Sequence, residues 1–354
     1  MPSTVSSTDP SPVVDRWQRP LRTLRLSVTD RCNLRCQYCM PEETYVWLPR
    51  PELLDFGELT RLARLFCELG VARIRLTGGE PLLRRDLPVL VGMLRANTPV
   101  REVSLTTNGV LLARFAADLR AAGLDRVTVS VDTLRRDRFA ALSRRDQLDA
   151  VRDGVAAAVA AGFGPSLKLD TVVMRGVNED ELSSMLGYAA EVGAELRFIE
   201  YMDVAGATRW RDERVVSRSE MLRRIADTHG PARALPGRGS APAERFALAN
   251  GQVFGIIAST TQPFCGACDR SRLTADGLWL RCLYASSGTD LKTPLRSGAS
   301  DDVLRSRLRA GWRDRDDRGA ERRQITAAVP RDQSLVPVDR LRREPHLEMH
   351  TRGG

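Results

Sequence analysis

The sequence contains almost no lysine and few aromatic residues. Lys168 and Lys292 are the two lysines among 54 basic side chains, and aromatic residues make up 5% of the chain. Nucleic-acid binders gain affinity from clustered cations that release counterions and from aromatic rings on which bases stack. Here the arginines are spread along the chain, often beside Asp or Glu, so the net charge of +9 does not indicate a nucleic-acid surface. Anionic small molecules remain compatible with that charge.

The sequence also lacks long apolar runs and a secretion signal. Its first residues, MPSTVSSTDPSPVVDRW, have no basic-then-apolar pattern, and no run of about eighteen apolar residues occurs. At 42% hydrophobic residues, the chain can nevertheless bury a large core. These features predict a cytoplasmic globular protein that does not enter a membrane.

The cysteines are clustered in the sequence. Six of the seven cysteines form two triplets, Cys32-x3-Cys36-x2-Cys39 and Cys265-x2-Cys268-x13-Cys282. Disulfides are rare in the cytoplasm, so both triplets predict metal ligands. Structural zinc and iron–sulfur clusters usually take four protein ligands, so a set of three implies one open metal position. Zinc with a distant fourth ligand is the alternative, although none of the three histidines lies near the first triplet.

Between residue 21 and about residue 202, short apolar runs alternate with stretches of helical period, which indicates repeated βα units around a parallel sheet. Six strands are predicted near Leu24–Val28, Arg73–Leu76, Glu102–Leu105, Arg126–Val131, Lys168–Val173 and Glu195–Ile199. Short polar motifs follow five of them, at Thr29–Cys39, Thr77–Pro81, Thr106–Gly109, Ser130–Thr133 and Glu200–Asp203. Because the carboxyl ends of parallel strands share one face, we expect these motifs to converge.

Helix signals occupy the stretches between strands. Asp55 and Glu58 form a predicted capping box for a helix that Gly70 ends, and Cys67 lies on its apolar face as a core thiol. Asn178 is predicted to begin a second helix, which ends at Gly193.

The pattern loosens beyond residue 215. Pro231–Pro242 is rich in Gly, Pro and Arg and predicts a surface loop, and Gln252–Ser259 predicts a strand leading into the second cysteine triplet.

Residues Val28–Pro41, VTDRCNLRCQYCMP, resemble the C-x3-C-x-aromatic-C signature of the radical S-adenosylmethionine (SAM) superfamily. The resemblance implies a [4Fe–4S] cluster on the first triplet, whose open iron binds the amino and carboxylate groups of SAM. It also implies that Tyr38, Gly78, Gly79 and Glu80 contact SAM, and the narrower resemblance described next adds Ser130 and Met202 to these contacts. On the residues alone, paired glycines allow close backbone approach, and Glu80 can pair with an ammonium group.

A narrower resemblance is to the GTP 3′,8-cyclase family of molybdenum cofactor biosynthesis. It rests on RLSVTDRCNLRCQYCMPEE, RLTGGEPLLRRDL, LTTNG, RFIEYMDV and PFCGACDRSRLTADGLWLRCL, between about residues 22 and 290. The resemblance implies a second [4Fe–4S] cluster on Cys265, Cys268 and Cys282, with its open iron facing the purine of GTP. It implies GTP contacts from Arg25, Arg75, Thr106, Lys168, Arg270 and Arg272.

The charge of GTP makes several cations necessary. GTP brings about four negative charges, and one cation at about 4 Å contributes on the order of 4 kcal/mol at an effective dielectric constant of 20, before desolvation. Lys168 stands out, because nearly every other basic position is arginine and a retained lysine suggests a need for a compact ammonium group. Lys292 is retained as well.

The chain ends in Arg352, Gly353 and Gly354. In the resembled family a C-terminal Gly-Gly reaches the active site, which implies a catalytic role for these three residues. Arg352 stands where many members have Ile, and Trp312–Met349 lacks the Lys-Pro-x-x-His-like stretch often found there. A frayed terminus is the alternative.

The resemblance implies an α/β fold with three parts. A flexible segment (1–20) precedes an incomplete, open (βα)6 TIM-like barrel (21–215), and a C-terminal domain (216–354) carries the second cluster and the Gly-Gly tail.

The implied reaction starts with cleavage of SAM to a 5′-deoxyadenosyl radical, which removes the C3′ hydrogen of GTP. Ring closure onto C8 then gives 3′,8-cyclo-7,8-dihydro-GTP. The implied partners are a reductive electron donor such as flavodoxin and a downstream cyclic pyranopterin monophosphate synthase. A homodimer is a further possible assembly. Two alternatives are another radical SAM enzyme with an auxiliary cluster, such as a peptide modifier, and a zinc-stabilised nucleic-acid-binding protein.

Overall fold

A single sheet of 12 strands organises the protein, whose computed structural model describes residues 13–204, 208–325 and 336–353. In chain order the strands are β1 (Thr23–Ser27), β2 (Arg73–Thr77), β3 (Glu102–Thr107), β4 (Arg126–Ser130), β5 (Lys168–Val173), β6 (Glu195–Glu200), β7 (Arg233–Ala234), β8 (Glu244–Ala247), β9 (Val253–Ile257), β10 (Arg270–Leu273), β11 (Leu278–Leu280) and β12 (Thr289–Asp290). All six predicted barrel strands are present, as is the strand predicted within Gln252–Ser259.

The first six strands pair side by side in chain order and run parallel. This confirms the predicted open (βα)6 architecture. An open barrel leaves two sheet edges whose backbone groups need partners. The C-terminal part of the chain supplies them, because β10 pairs parallel with β1 and β9 pairs parallel with β6. Residues after 215 therefore continue the barrel sheet at both edges, which the sequence did not predict.

Helices cover the outer face of the sheet and the C-terminal region. They are α1 (Phe56–Glu68), α2 (Leu87–Asn97), α3 (Leu112–Ala121), α4 (Arg136–Ser143), α5 (Leu148–Ala158), α6 (Leu182–Glu191), α7 (Arg218–His229), α8 (Lys292–Arg296), α9 (Asp301–Arg313), α10 (Gly319–Ile325), α11 (Val338–Arg343) and α12 (Met349–Arg352). Among the residues that the structure describes, no helix combines the length and apolar character needed to span a bilayer.

The first capping prediction is confirmed and the second is wrong. Asp55 and Glu58 form the capping box of α1. By contrast, α6 begins at Leu182 with Glu181 as its N-cap. The Asn178 side chain instead accepts the Met174 N–H and donates to two backbone carbonyls, closing the loop after β5. Asn can satisfy loop backbone groups as readily as it caps a helix, which is why the sequence signal misled.

Side chains alternate across each barrel strand. The outward-facing Leu24, Leu26, Ile74 and Leu76 are fully buried under the helices, where each methylene removed from water stabilises the fold by about 0.8 kcal/mol. Cys67 is also buried in this layer, as predicted. The inward-facing positions of the same strands carry the polar residues of the site.

The ends of the chain are packed where the structure describes them. Residues 1–12 lie outside the described residues, but Val14 bridges to Pro20, and the Val13 N–H donates to the Leu69 carbonyl at 3.2 Å. The described part of the expected flexible segment 1–20 is thus fixed against the barrel. Pro231–Pro242, expected as a surface loop, contains β7, and its last residues enter the wall of the cavity described next.

Candidate active site

A cavity of about 770 Å³ lies between the inner face of the barrel strands and the loops at their carboxyl ends. This volume falls in the range of about 300–1,000 Å³ typical of ligand sites. All six triplet cysteines line it, together with the predicted residues Tyr38, Gly78, Gly79, Ser130, Met202, Arg25, Arg75, Thr106, Lys168, Arg270 and Arg272. The sequence motifs therefore converge as expected. Glu80, Arg352 and Gly353 are not among the residues that line the cavity, and Gly354 lies outside the described residues.

The first triplet occupies the loop after β1. Burial raises the pKa of the Cys32 thiol to about 11 and also raises the pKa values of Cys36 and Cys39. The Cys32 Sγ accepts from the Leu34 N–H at 3.5 Å and from the Asn108 amide at 3.8 Å. Burial opposes thiolates that carry no bound cation, so a metal is the partner that would stabilise them here.

Two glycines pack directly beneath this loop. A β-carbon on Gly78 would lie 2.3 Å from the Thr29 carbonyl oxygen, and one on Gly79 would lie 2.4 Å from that of Arg31. Gly78 also has a φ of 143°, which disfavours other residues. The glycines are therefore needed for contact with the cysteine loop as well as for their exposure to the cavity.

Glu80 is fully buried behind the two glycines. Its Oε1 accepts from the Leu82 N–H at 3.0 Å and the Thr107 hydroxyl at 2.7 Å, and its Oε2 accepts from the Asn108 N–H at 2.7 Å. Burial raises its pKa to about 7 despite these donors. The side chain thus joins the GGE loop to the loop after β3.

The second triplet lies on the opposite side of the cavity, beside α10. Burial raises the pKa values of Cys265 and Cys282. Hydrogen bonding from backbone N–H groups partly opposes that rise: the groups of Ala320 and Glu321, in the first turn of α10, act on Cys265, and those of Tyr284 and Gly319 act on Cys282. Such hydrogen bonds stabilise thiolate ligands of iron–sulfur clusters.

Cys268 has the most acidic thiol environment of this triplet. Burial raises its pKa, but Arg270 and Arg315 outweigh that effect and lower it to about 7. Within the described parts of the chain, no three His, Cys, Asp or Glu side chains are grouped as ligands of a single metal ion. Iron–sulfur clusters are held by cysteine thiolates, and each triplet supplies three of them.

Three arginines form a row across adjacent strands. Arg272 on β10, Arg25 on β1 and Arg75 on β2 occupy the same register and line the cavity. Burial, and then their mutual repulsion, holds the pKa of Arg25 well below its usual range, and burial lowers those of Arg75 and Arg272 to about 10. Arg75 donates to the Thr106 hydroxyl at 3.1 Å.

The arginines of this row have no carboxylate partner among the described residues. Lys168 differs, because its Nζ donates to the Glu195 carboxylate at 2.9 Å. Like charges on neighbouring strands are unfavourable without a counter-charge, so the row is a candidate anion site.

The C-terminal tail packs inside the barrel against β1 and β10. Thr351 is completely buried, and its carbonyl accepts from the Ser27 hydroxyl at 2.8 Å. The Gly353 carbonyl accepts from Arg25 at 3.2 Å and also from Arg272. Up to Gly353 the predicted insertion of the tail is present, and the alternative of a frayed terminus is wrong for these residues.

Arg352 contacts the chain behind the cavity. Its side chain is buried, and its guanidinium donates to the His346 carbonyl at 3.0 Å and to the Leu283 carbonyl at 2.5 Å. Leu283 directly follows Cys282, so Arg352 ties the tail to the second cysteine loop.

Sequence reasoning missed Asp132, which lies in the Ser130–Thr133 motif after β4 and contacts Tyr38 of the first cysteine loop. Its carboxylate accepts from the Tyr38 hydroxyl at 2.8 Å and from the Val172 N–H at 2.9 Å. Burial raises its pKa to about 6. The signal was present, since Asp132 lies within the motif after β4, but nothing in the sequence links it to Tyr38.

Two other missed features line the cavity. Asp170 and Arg197 face inward from β5 and β6 and form an ion pair at 2.6 Å, which strand alternation could have predicted. His350 lies between Tyr45 and Trp47, with ring centroids at 5.2 and 5.6 Å, and burial lowers its pKa to about 3. The His350 imidazole that lines the cavity is therefore neutral. It reaches this position because the C-terminal tail is inserted into the barrel.

Comparisons with known proteins agree with this geometry. A profile described as the Radical SAM superfamily matches residues 26–189, and one described as Molybdenum Cofactor Synthesis C matches residues 194–321. A Mycobacterium tuberculosis protein named GTP 3′,8-cyclase 1 is 52% identical over 353 residues, covering 98% of this chain and 97% of its own. The chain belongs to the GTP 3′,8-cyclase family.

Other members of this family cover the chain almost as fully. GTP 3′,8-cyclase 3 of Mycobacterium bovis is 52% identical over 97% of this chain and 91% of its own, and the Acidothermus cellulolyticus GTP 3′,8-cyclase is 48% identical over 91% of both. The crystal structure of Streptococcus suis SuiB bound to S-adenosylmethionine gives a TM-score of 0.55 at 14% identity, over 81% of this chain and 68% of that chain. The SuiB similarity shows a shared fold.

Family membership makes the chain a radical SAM enzyme of the GTP 3′,8-cyclase type. The radical SAM superfamily uses SAM and a [4Fe–4S] cluster. The first triplet supplies three thiolates for such a cluster, on a loop that packs against Gly78 and Gly79.

Proposed function

We propose that this protein converts GTP to 3′,8-cyclo-7,8-dihydro-GTP, the first step of molybdenum cofactor biosynthesis. The names of relatives that match nearly the whole chain support this activity. The structural observation that carries the proposal is the row formed by Arg272, Arg25 and Arg75, which runs between the two cysteine triplets.

The arginine row supports a polyanionic substrate. Each guanidinium has lost water on burial, and none has a carboxylate partner in the described part of the chain. At an effective dielectric constant of about 20, each cation within about 4 Å of a phosphate would contribute on the order of 4 kcal/mol before desolvation. We propose that the row binds the triphosphate, with Arg270, Lys168 and Thr106 as further contacts. The phosphate oxygens would replace or join the Gly353 carbonyl that Arg25 and Arg272 now contact.

We also propose a second [4Fe–4S] cluster on Cys265, Cys268 and Cys282. Support comes from the backbone N–H groups directed at two of these sulfurs and from the arginines that lower the pKa of the third. When bound, the two clusters and SAM supply electron transfer, the carbon-centred radical and an open iron for the purine.

The residues of the chain then hold and orient the reactants. Gly78, Gly79 and the second oxygen of Glu80, which accepts one hydrogen bond here, are proposed to bind the amino acid end of SAM, with Tyr38, Ser130 and Met202 along its length. Met349 and His350 of the tail line the cavity, and we propose that the tail excludes water from it. Hydrogen abstraction from C3′ needs no acid or base from a side chain.

The proposal includes a cytoplasmic location and external partners. All seven cysteines are unpaired, which supports a reducing compartment. A low-potential donor such as flavodoxin would supply electrons, and cyclic pyranopterin monophosphate synthase would consume the product. A homodimer remains part of the proposal.

Anaerobic turnover tests this function. The reconstituted, reduced protein should form 5′-deoxyadenosine with SAM and GTP, but not with SAM and ATP, CTP or UTP, and mass spectrometry should detect the cyclised nucleotide. Cys282→Ser should halve the iron and sulfide content. 5′-Deoxyadenosine formation that ignores GTP would indicate another radical SAM enzyme, and zinc without sulfide would overturn the proposal.

A further inference from the structure

The N-terminal segment contains a buried carboxylate with four donors. Asp15 accepts from the Arg19 Nε at 2.7 Å, from Arg315 at 3.0 Å, and from the backbone N–H groups of Trp17 and Arg19 at 2.9 Å each. The side chains of Asp15, Arg19 and Arg315 are 0%, 2% and 1% exposed. These three residues are called the Asp15 triad below.

Both arginines of the triad also donate hydrogen bonds to the backbone around the second cysteine triplet. Arg19 donates to the carbonyl of Cys265 at 2.8 Å. Arg315 donates to the carbonyls of Cys268 and Arg281, both at 2.9 Å. Arg281 immediately precedes Cys282, so the triad reaches the backbone at or beside all three cysteines.

This arrangement differs from ordinary structural ion pairing. The Asp15 carboxylate fixes the direction of two guanidinium groups, and both groups also donate to backbone carbonyls of the segments that carry the thiols. Arg19 donates in addition to the Asp317 carbonyl at 2.9 Å. The thiols lie on two segments that are separated in sequence, since Cys265 and Cys268 precede β10 and Cys282 follows β11. The Asp15 triad is therefore a common charged anchor for both segments.

We propose that Asp15 is a positioning residue for the second cluster, acting through Arg19 and Arg315 on the backbone of the Cys265, Cys268 and Cys282 loops. The inference rests on the proposed second cluster. It assigns a role in cluster assembly to the segment 1–20, which the sequence analysis expected to be flexible.

The test uses the full chain with Cys32, Cys36 and Cys39 changed to Ser, so that any bound cluster is the second one. In this background Asp15→Asn should lower iron and sulfide at least twofold and change the electron paramagnetic resonance spectrum of the remaining cluster. Asn has nearly the same shape as Asp but puts a donor against a guanidinium and removes the charge. The matched control is Asp314→Asn, because Asp314 pairs at 3.6 Å with Arg16 between the same two segments, yet both side chains are largely exposed. It should leave both readouts unchanged.

A second readout uses the unloaded protein and separates positioning from unfolding. Well below the melting temperature, alkylation of Cys265 and Cys268 should be at least fivefold faster in Asp15→Asn, while the buried Cys67 keeps its slow rate. Arg315→Lys should give an intermediate result, because lysine retains the charge but not the two-directional donors.

The outcomes separate the positioning role of Asp15 from the existence of the second cluster. Absence of any cluster from the triple-Ser parent would defeat the proposed second cluster, and the alkylation rates would still test the triad. Normal iron, an unchanged spectrum and unchanged alkylation in Asp15→Asn would overturn the positioning role.

Discussion

Gly353 lies so close to Thr77 that a β-carbon on residue 353 would stand 2.0 Å from the Thr77 Oγ1. Thr77 ends β2 and immediately precedes the glycines beneath the first cysteine loop. The Gly353 carbonyl accepts from Arg25 and Arg272. The tail, the arginine row and the proposed SAM loop therefore meet at one point of the barrel.

Gly353→Ala should remove the tail from this position. The residue has a φ of 70°, where a non-glycine residue costs about 1–2 kcal/mol, and the new methyl group would also clash with Thr77. Turnover of GTP should fall at least about tenfold, the equivalent of about 1.4 kcal/mol. The control Gly298→Ala has a φ of 79° with open space around its β-carbon, so it carries the strain without the clash. Equal activity of the two variants would show that the Thr77 contact does not matter.

Gly79→Ala should damage the first cluster. The added carbon would lie 2.4 Å from the Arg31 carbonyl oxygen, and this backbone atom cannot move without shifting the loop that carries Cys32. Iron bound by a variant lacking the second triplet should fall at least twofold. Gly92→Ala, with no atom within 4 Å of its β-carbon, is the control. Full iron content in Gly79→Ala would contradict the packing argument.

Arg352→Ile should loosen the tail. It leaves the His346 and Leu283 carbonyls without their donor, and an unsatisfied buried acceptor costs about 1–3 kcal/mol. Hydrogen exchange of residues 346–353 should accelerate at least tenfold, while the barrel strands keep their protection. Arg343→Ile, at an exposed position of α11, should leave the exchange rates as they are. An unchanged tail would mean that the backbone contacts of Thr351 and Gly353 suffice.

Lys168→Arg tests the significance of a retained lysine. The planar guanidinium is larger than the ammonium group that it would replace beside the Glu195 carboxylate, which also pairs with Arg245 at 3.1 Å. The KM for GTP should rise at least about tenfold, with little change in melting temperature. Lys292→Arg, whose side chain pairs with Glu52 outside the cavity, should stay within twofold of wild type. Similar KM values for both variants would remove the special status of Lys168.

Glu220→Gln should weaken the fold in a pH-dependent way. The Glu220 carboxylate accepts from Arg175 at 2.6 and 2.8 Å and from Arg224 at 3.0 Å, and Arg175 is the main cause of its lowered pKa. A lowered carboxyl pKa stabilises the folded state above the usual value of 4.5 and loses that contribution as pH falls through the folded pKa. At pH 7 the variant should lose on the order of 1 kcal/mol in the free energy of unfolding, and the difference should vanish in acid.

Glu213→Gln supplies the comparison for this measurement. Glu213 pairs with Arg211 at 3.7 Å with both side chains largely exposed, and such pairs contribute little. Urea denaturation of both variants between pH 3 and 8 separates them. A pH-independent loss in Glu220→Gln would show that packing, and not charge, explains its effect.

Much of the site was predictable because its signals are local. The Cys32, Cys36 and Cys39 spacing, the glycines after β2 and the position of motifs behind strands all depend on a few neighbouring residues. Strand alternation then places Arg25 and Arg75 on the inner face. Asn178 shows the limit of such signals, because its side chain serves a loop and does not cap α6.

By itself the sequence determined the six βα units, the two thiol triplets and the inward side of each strand, since periodicity and spacing carry that information. Only the tertiary structure decided which distant segments meet. It paired β9 and β10 with the barrel edges, brought Asp15 to Arg315, and seated Gly353 against Thr77. These contacts join residues that lie up to 300 positions apart, and they form because open sheet edges and buried charges must find partners wherever the chain can bring them.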